Sequence, residues 1–137
     1  MKKLYLFLMM LFLSLPAFAN EVTGFWTTID DETKKAKSVV EIYEKEGKIF
    51  GKVVEIFGDK EAKAAITGAP KILGLEIIKN MEKKGSKYKN GTILDPKKGK
   101  TYTCEIWREG ENLIVRGKIA FLGRNQTWHK NTSFKAK

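Results

Sequence analysis

Over the last third of the chain, apolar and polar positions alternate with period two. The run Tyr88–Pro96 is followed by Gly99–Trp107, then Leu113–Gly117 and Leu122–Trp128, with Gly, Asp95-Pro96 and Glu109-Gly110 as punctuation. Successive residues on a strand point to opposite faces, so this pattern predicts consecutive antiparallel strands. The same reading applies near the start. Val22–Ile29 is a strand with Val22, Gly24, Trp26 and Thr28 on one face, and Asp30–Thr33 is a polar turn. Lys37–Glu44 and Lys48–Phe57 form two more strands joined by Glu46-Gly47, a two-residue hairpin signal.

A two-residue loop dictates which residues face each other. Counting outward from Glu46-Gly47 pairs Glu44 with Ile49, Tyr43 with Phe50, Ile42 with Gly51, Glu41 with Lys52 and Val40 with Val53. The Glu109-Gly110 turn, treated the same way, sets Ile106 against Leu113, Cys104 against Val115 and Tyr102 against Gly117. Trp107, Glu105 and Thr103 then lie on the other face, opposite Asn112, Ile114 and Arg116. Both hairpins set a glycine against a large residue, and glycine inside a strand marks a bend or close approach.

Between the two groups of strands the period breaks. Glu61–Ile66 is rich in helix formers and Thr67–Pro70 would stop a helix. For 72–81 two readings stand: Gly74, Ile77, Ile78 and Met81 fit a helical stripe, while Ile72–Ile78 also reads as a buried strand. The expected fold is mainly β. It is a small antiparallel up-and-down barrel, lipocalin-like in shape, or a strongly curled sheet, with one short helix or irregular insertion around 59–82.

These residues carry a resemblance. Gly24–Asp31, Ser38–Tyr43, Gly47–Gly51, Gly91–Pro96 with Gly99–Tyr102, Leu113–Gly117 and Gly123–Trp128 together resemble the family called domain of unknown function 2147. The resemblance covers nearly all of the chain after residue 20. It implies an exported, single-domain β protein and no agreed activity, so no functional residue is carried over. It also implies, for many relatives, a close cysteine pair in the segment equivalent to 59–70. This chain has none there, and with it goes any redox or metal role of such a pair.

Residues 1–19 read as a cleaved secretory signal. Lys2 and Lys3 precede an apolar run from Leu4 to Leu15, and Ala17-Phe18-Ala19 is the small-x-small pattern before a cut. The run is too short to cross a bilayer as a helix, so no membrane-spanning segment is expected after cleavage. The single domain then spans 20–137, in the periplasm or outside the cell. Loss of Lys2 and Lys3 lowers the formal charge from +10 to +8. In that compartment a basic exterior would meet anionic envelope components rather than nucleic acid.

Little in the sequence carries chemistry. His129 is the only histidine and Cys104 the only cysteine, which leaves no intramolecular disulfide and no signature for zinc, dinucleotide or phosphate binding. On the apolar face of its strand, Cys104 reads as a small core residue. Asp30-Asp31 and Asp95-Pro96 read as turn residues. No catalytic residue, metal ligand or cofactor is expected.

The candidate ligand-binding residues are Trp26, Tyr102, Arg116, Arg124 and Trp128. The two tryptophans lie on the first and last strands and would approach each other where a barrel closes. An arginine across a tryptophan face would plug a barrel end; the same group at a mouth would orient an anionic head. The functional expectation is a non-catalytic binding protein for a small apolar or amphipathic ligand, such as a lipid or acyl chain. The alternative is a filled barrel whose basic exterior binds anionic envelope components.

Overall fold

The computed structural model describes residues 22–58, 72–96, 98–119 and 122–134. The expected signal at 1–19 and the expected helix at 61–66 lie outside them. Eight strands follow one another in sequence: β1 Gly24–Ile29, β2 Ala36–Lys45, β3 Lys48–Ile56, β4 Glu76–Lys84, β5 Lys87–Asp95, β6 Lys100–Glu109, β7 Asn112–Ile119 and β8 Leu122–Lys130. Each pairs antiparallel with its neighbours, and β1 pairs with β8 to close a barrel. Among the described residues there is no helix.

The β2–β3 register matches the turn count at all five pairs, from Glu44↔Ile49 to Val40↔Val53. Glu46 and Gly47 both have positive φ, +55° and +79°, as the tight hairpin turn that matches strand twist requires. The Glu41–Lys52 cross-strand pair forms at 3.8 Å.

At the β6–β7 hairpin the expected register is displaced by two residues. The loop is Gly110-Glu111, with Gly110 alone of the two at positive φ, +61°. This is the turn that takes glycine at its first central position. Ile106 therefore faces Val115, Cys104 faces Gly117, and Trp107 faces Ile114. A two-residue slip keeps every side chain on its own face, so Cys104 and Ile106 stay inside and Trp107 outside.

For 72–81 the strand reading holds from Glu76 onward, and the helical stripe has a physical cause. Gly51 pairs with Ile78 while Lys52 pairs with Glu76, which leaves Ile77 as an extra residue in β4. Such a bulge turns neighbouring side chains the same way, and Ile77 and Ile78 are both buried. Asn80 then takes φ +60°, and Met81 returns to the core. Two irregularities in a strand thus imitate a 3.6-residue period.

Closure pairs the two end strands, but not in the expected register of Gly24–Thr28 against Arg124–Trp128. Trp26 faces Lys130 and Thr27 faces His129. The Asn131 amide adds a bond to the Phe25 carbonyl at 2.9 Å. No turn joins β1 to β8, so nothing local in the sequence fixes their offset. The core runs along the barrel axis: Trp26, Val40, Ile42, Val53, Ile78, Met81, Cys104, Ile106, Leu113, Val115 and Trp128 are all buried.

Candidate functional site

The two ends of the barrel differ in what fills them. At the end carrying the β2–β3, β4–β5 and β6–β7 turns, the chain arrives through buried Val22, whose carbonyl accepts the Trp26 indole N–H at 2.8 Å. The Arg108 guanidinium lies 5.2 Å from the Trp26 ring centroid. Its Nε and Nη2 donate to the Gly110 carbonyl at 3.1 and 2.7 Å. A cation over an indole face, tied to the adjacent turn, closes this end. The plugging arginine is Arg108, not Arg116 or Arg124. The sequence did carry a signal for it, because Arg108 continues the alternation Cys104, Ile106 onto the inner face of β6.

The middle is filled to contact. A Cβ built on Gly51 would lie 3.1 Å from the Ile78 Cβ, and one on Gly91 would lie 2.3 Å from the Lys79 carbonyl oxygen and the Met81 sulfur. Burial, with Glu105 nearby, pushes the Cys104 thiol up to about 12. That thiol is a core group and not a nucleophile.

The other end is looser and more polar. Gly117 faces the lumen, and among the described residues a Cβ there would meet only the Ile93 and Tyr102 side chains, at 3.7 and 3.8 Å. Tyr102 faces Ile93 across β5–β6, and both are half-buried. Thr28 Oγ1 and Ser38 Oγ share a hydrogen bond of 2.7 Å. Arg124 faces Gly117 on β8, on the lumen side with Gln126 and buried Trp128. Its Nη2 donates to Asp31 Oδ2 at 2.7 Å, across the seam from the β1–β2 turn. Gln126 Nε2 reaches the same oxygen at 3.5 Å, and Gln126 Oε1 accepts the Trp128 indole N–H at 3.1 Å.

The five candidate residues are therefore dispersed. Trp26 and Trp128 lie in the core, with Trp26 under the plug; Tyr102 and Arg124 stand at the mouth. Arg116 lies on the outer wall, where it donates to Asn125 Oδ1 at 2.8 Å and covers Gly123. Asp31, Gln126 and Gly117 join Tyr102 and Arg124. In the sequence Asp31 reads as a turn residue, because its partner lies 93 positions away.

Elsewhere, a depression of about 140 Å³ is lined by Glu76, Ile77, Lys79, Thr92, Leu94 and Thr101. Its carboxylate is engaged, since Glu76 accepts from the Tyr43 hydroxyl and pairs with Lys45 at 3.6 Å. Burial and that bond push Tyr43 up to about 12. Among the described residues no group of three or more His, Cys, Asp or Glu side chains is placed to hold a metal ion.

A closed, eight-stranded up-and-down barrel is a lipocalin-like fold. A solved structure described as "Protein HP1028 from the human pathogen Helicobacter pylori belongs to the lipocalin family" has the same fold. The TM-score is 0.66 at 22% identity, covering 82% of this chain and 84% of that one. The chain belongs to the domain of unknown function 2147 family, uncharacterized proteins conserved in bacteria, whose model matches residues 24–130. Comparison with curated proteins found no match.

Proposed function

We propose that this is a non-catalytic binding protein of the cell envelope that takes a small apolar or amphipathic molecule, such as a lipid or acyl chain, into the mouth half of its barrel. The observation that carries the reading is the contrast among its lumen glycines. Gly51 and Gly91 are pressed by neighbours, while at Gly117 a Cβ would meet the Ile93 and Tyr102 side chains at ordinary contact distance. Small eight-stranded barrels are either filled by side chains or hollow enough for one ligand, and of the two inner-wall glycines that flank Cys104, Gly91 is crowded and Gly117, on the side of Arg124, is not. The likeness to a protein described as a lipocalin supports the reading. The leader-like residues 1–19 support export to the periplasm or beyond.

The test is native mass spectrometry of the protein recovered from the compartment to which it is exported. A co-purifying lipid or fatty acid is expected in the wild type and absent in Gly117→Leu, which fills the slot. A wild type that carries nothing and binds no ten-carbon amphiphile would overturn it.

A second reading has its own observation. Lys83, Lys84, Lys87 and Lys89 flank the β4–β5 turn, with Glu82 among them. This basic hairpin would adsorb to anionic envelope components, and adsorption that persists unchanged in molar salt would refute it.

A further inference from the structure

We infer that the ligand taken at the mouth is a single-chain amphiphile with an anionic head, and that Arg124 holds that head against competition from Asp31. The inference rests on the binding reading above and goes further, to the class of ligand. Arg124 leaves the lumen face of β8 directly opposite Gly117, so its stem borders the inner-wall glycine at which an added Cβ would meet only ordinary contacts among the described residues. A chain lying against Gly117, Ile93 and Tyr102 would bring its head to this guanidinium.

The position beside the guanidinium already holds an anion. Asp31 Oδ2 receives Arg124 Nη2 at 2.7 Å and Gln126 Nε2 at 3.5 Å. The protein's own carboxylate thus marks where a ligand carboxylate or phosphate would sit, between donors preset to receive it. Arginine presents five N–H donors in a planar fork, and a single one of them accounts for the Asp31 contact. The neighbouring Asp30 does not compete. Its Oδ1 accepts the backbone N–H groups of Glu32 and Thr33, each at 2.9 Å. The network also reaches the core, because Gln126 Oε1 holds the indole N–H of buried Trp128. A head that displaces Asp31 disturbs Gln126, and with it the Trp128 indole.

The experiment uses the full mature chain with decanoate, decanol and decyl phosphate as matched probes, by calorimetric titration at neutral pH. Decanoate and decyl phosphate are expected to bind about tenfold more tightly than decanol, as for a charge-assisted bond discounted for solvent exposure. Arg124→Gln should lower both anions to the affinity of decanol and leave decanol unchanged. Arg124 is exposed, so this variant is expected to fold as the wild type does. Asp31→Asn should raise the affinity of both anions several-fold, again with decanol unchanged. Decanoate, but not decanol, should shift the Trp128 indole N–H resonance. Equal binding of all three probes, insensitive to Arg124→Gln, overturns the anionic head while leaving the binding reading intact. Weaker anion binding in Asp31→Asn shows a structural clasp instead of a competitor and also overturns it. Failure of every probe to bind falls on the binding reading itself.

Discussion

Three glycines on the inner wall order the barrel by tightness, and replacing each with alanine turns that order into stability. At Gly91 the new methyl would stand 2.3 Å from the Lys79 carbonyl oxygen and the Met81 sulfur, and 2.8 Å from the Met81 amide nitrogen. Met81 can swing its sulfur away, but two of those three atoms are backbone of the adjacent strand. Strands β4 and β5 would have to separate by roughly an ångström along a hydrogen-bonded ladder. Overpacking a well-filled core costs about 1–3 kcal/mol, occasionally more. The Gly91→Ala cost belongs at about 3 kcal/mol or above, because backbone yields least.

At Gly51 the nearest atoms are the Ile78 Cβ at 3.1 Å and side-chain carbons of Ile78 and Val40 at 3.3 Å. These give by a few tenths of an ångström, and about 1 kcal/mol is expected. At Gly117 the contacts are ordinary and φ is not positive. There the dominant effect is the reduced entropy of the unfolded chain, and Gly117→Ala should stabilise by about 0.5–1 kcal/mol. Urea unfolding of the three variants with a common m-value measures the order directly. A Gly91→Ala as stable as the wild type, or a Gly117→Ala less stable than Gly51→Ala, would refute this order of crowding along the inner wall.

Trp26→Ala should cost about 3–5 kcal/mol, as for a large buried aromatic. Trp107→Ala should cost far less, since Trp107 lies half-buried outside with Lys87 Nζ 4.4 Å from its ring; chemical denaturation of both variants checks the ranking. Cys104 should resist thiol reagents in the native protein and react only at the rate of opening, and Cys104→Ala should cost about 1 kcal/mol of packing. Stability should be full below about pH 9 and fall progressively toward pH 12. Cys104 and Tyr43 both keep their protons in the folded state to about 12, whereas the unfolded chain releases them earlier. A pH series of urea midpoints that stays flat to pH 12, or that declines equally in Cys104→Ala, would contradict the buried thiol's share.

How far the fold could be read depended on whether a local device fixed each pairing. Glu46-Gly47 is such a device, and the pairs from Glu44↔Ile49 to Val40↔Val53 followed from counting. Gly110-Glu111 is another, but Glu109-Gly110 looks so like Glu46-Gly47 that the loop is easily placed one residue early; each strand then shifts by one and the pairing by two. In β4 the alternation itself misleads, because the Ile77 bulge and the turn of the backbone at Asn80 bury Ile77, Ile78 and Met81 at helical spacing. The β1–β8 offset has no local determinant, since it is the outcome of closing eight strands around one core. Arg108 over Trp26 is readable by face, since Arg108 continues the Cys104 and Ile106 alternation onto the inner wall.

The mouth was legible least of all, and the reason is the same physics seen from the other side. A core residue declares itself by alternation, because water excludes it wherever its strand goes. Asp31, Gln126 and Arg124 are polar residues at or near the surface, where the sequence pattern allows almost anything. What joins them is the seam at which β1 has already ended at Ile29 while β8 continues from Leu122. Beyond Thr27↔His129 no ladder pair joins the two strands toward the mouth. Side chains bridge that gap, with Asp31 reaching from the turn to Arg124 and Gln126. A short seam laced by side chains opens at less cost than a backbone ladder, so those amides of Asn125–Thr127 that point toward β1, rather than into the β7–β8 ladder, should exchange faster than those of Val40 or Ile42. Because Asp31 is both the lace and the anion beside Arg124, a head group that takes its place would loosen the seam as it binds. Decanoate should therefore speed exchange at Asn125–Thr127 even as it protects the rest of the barrel. Uniform protection across β8 would show that the head group binds without displacing Asp31.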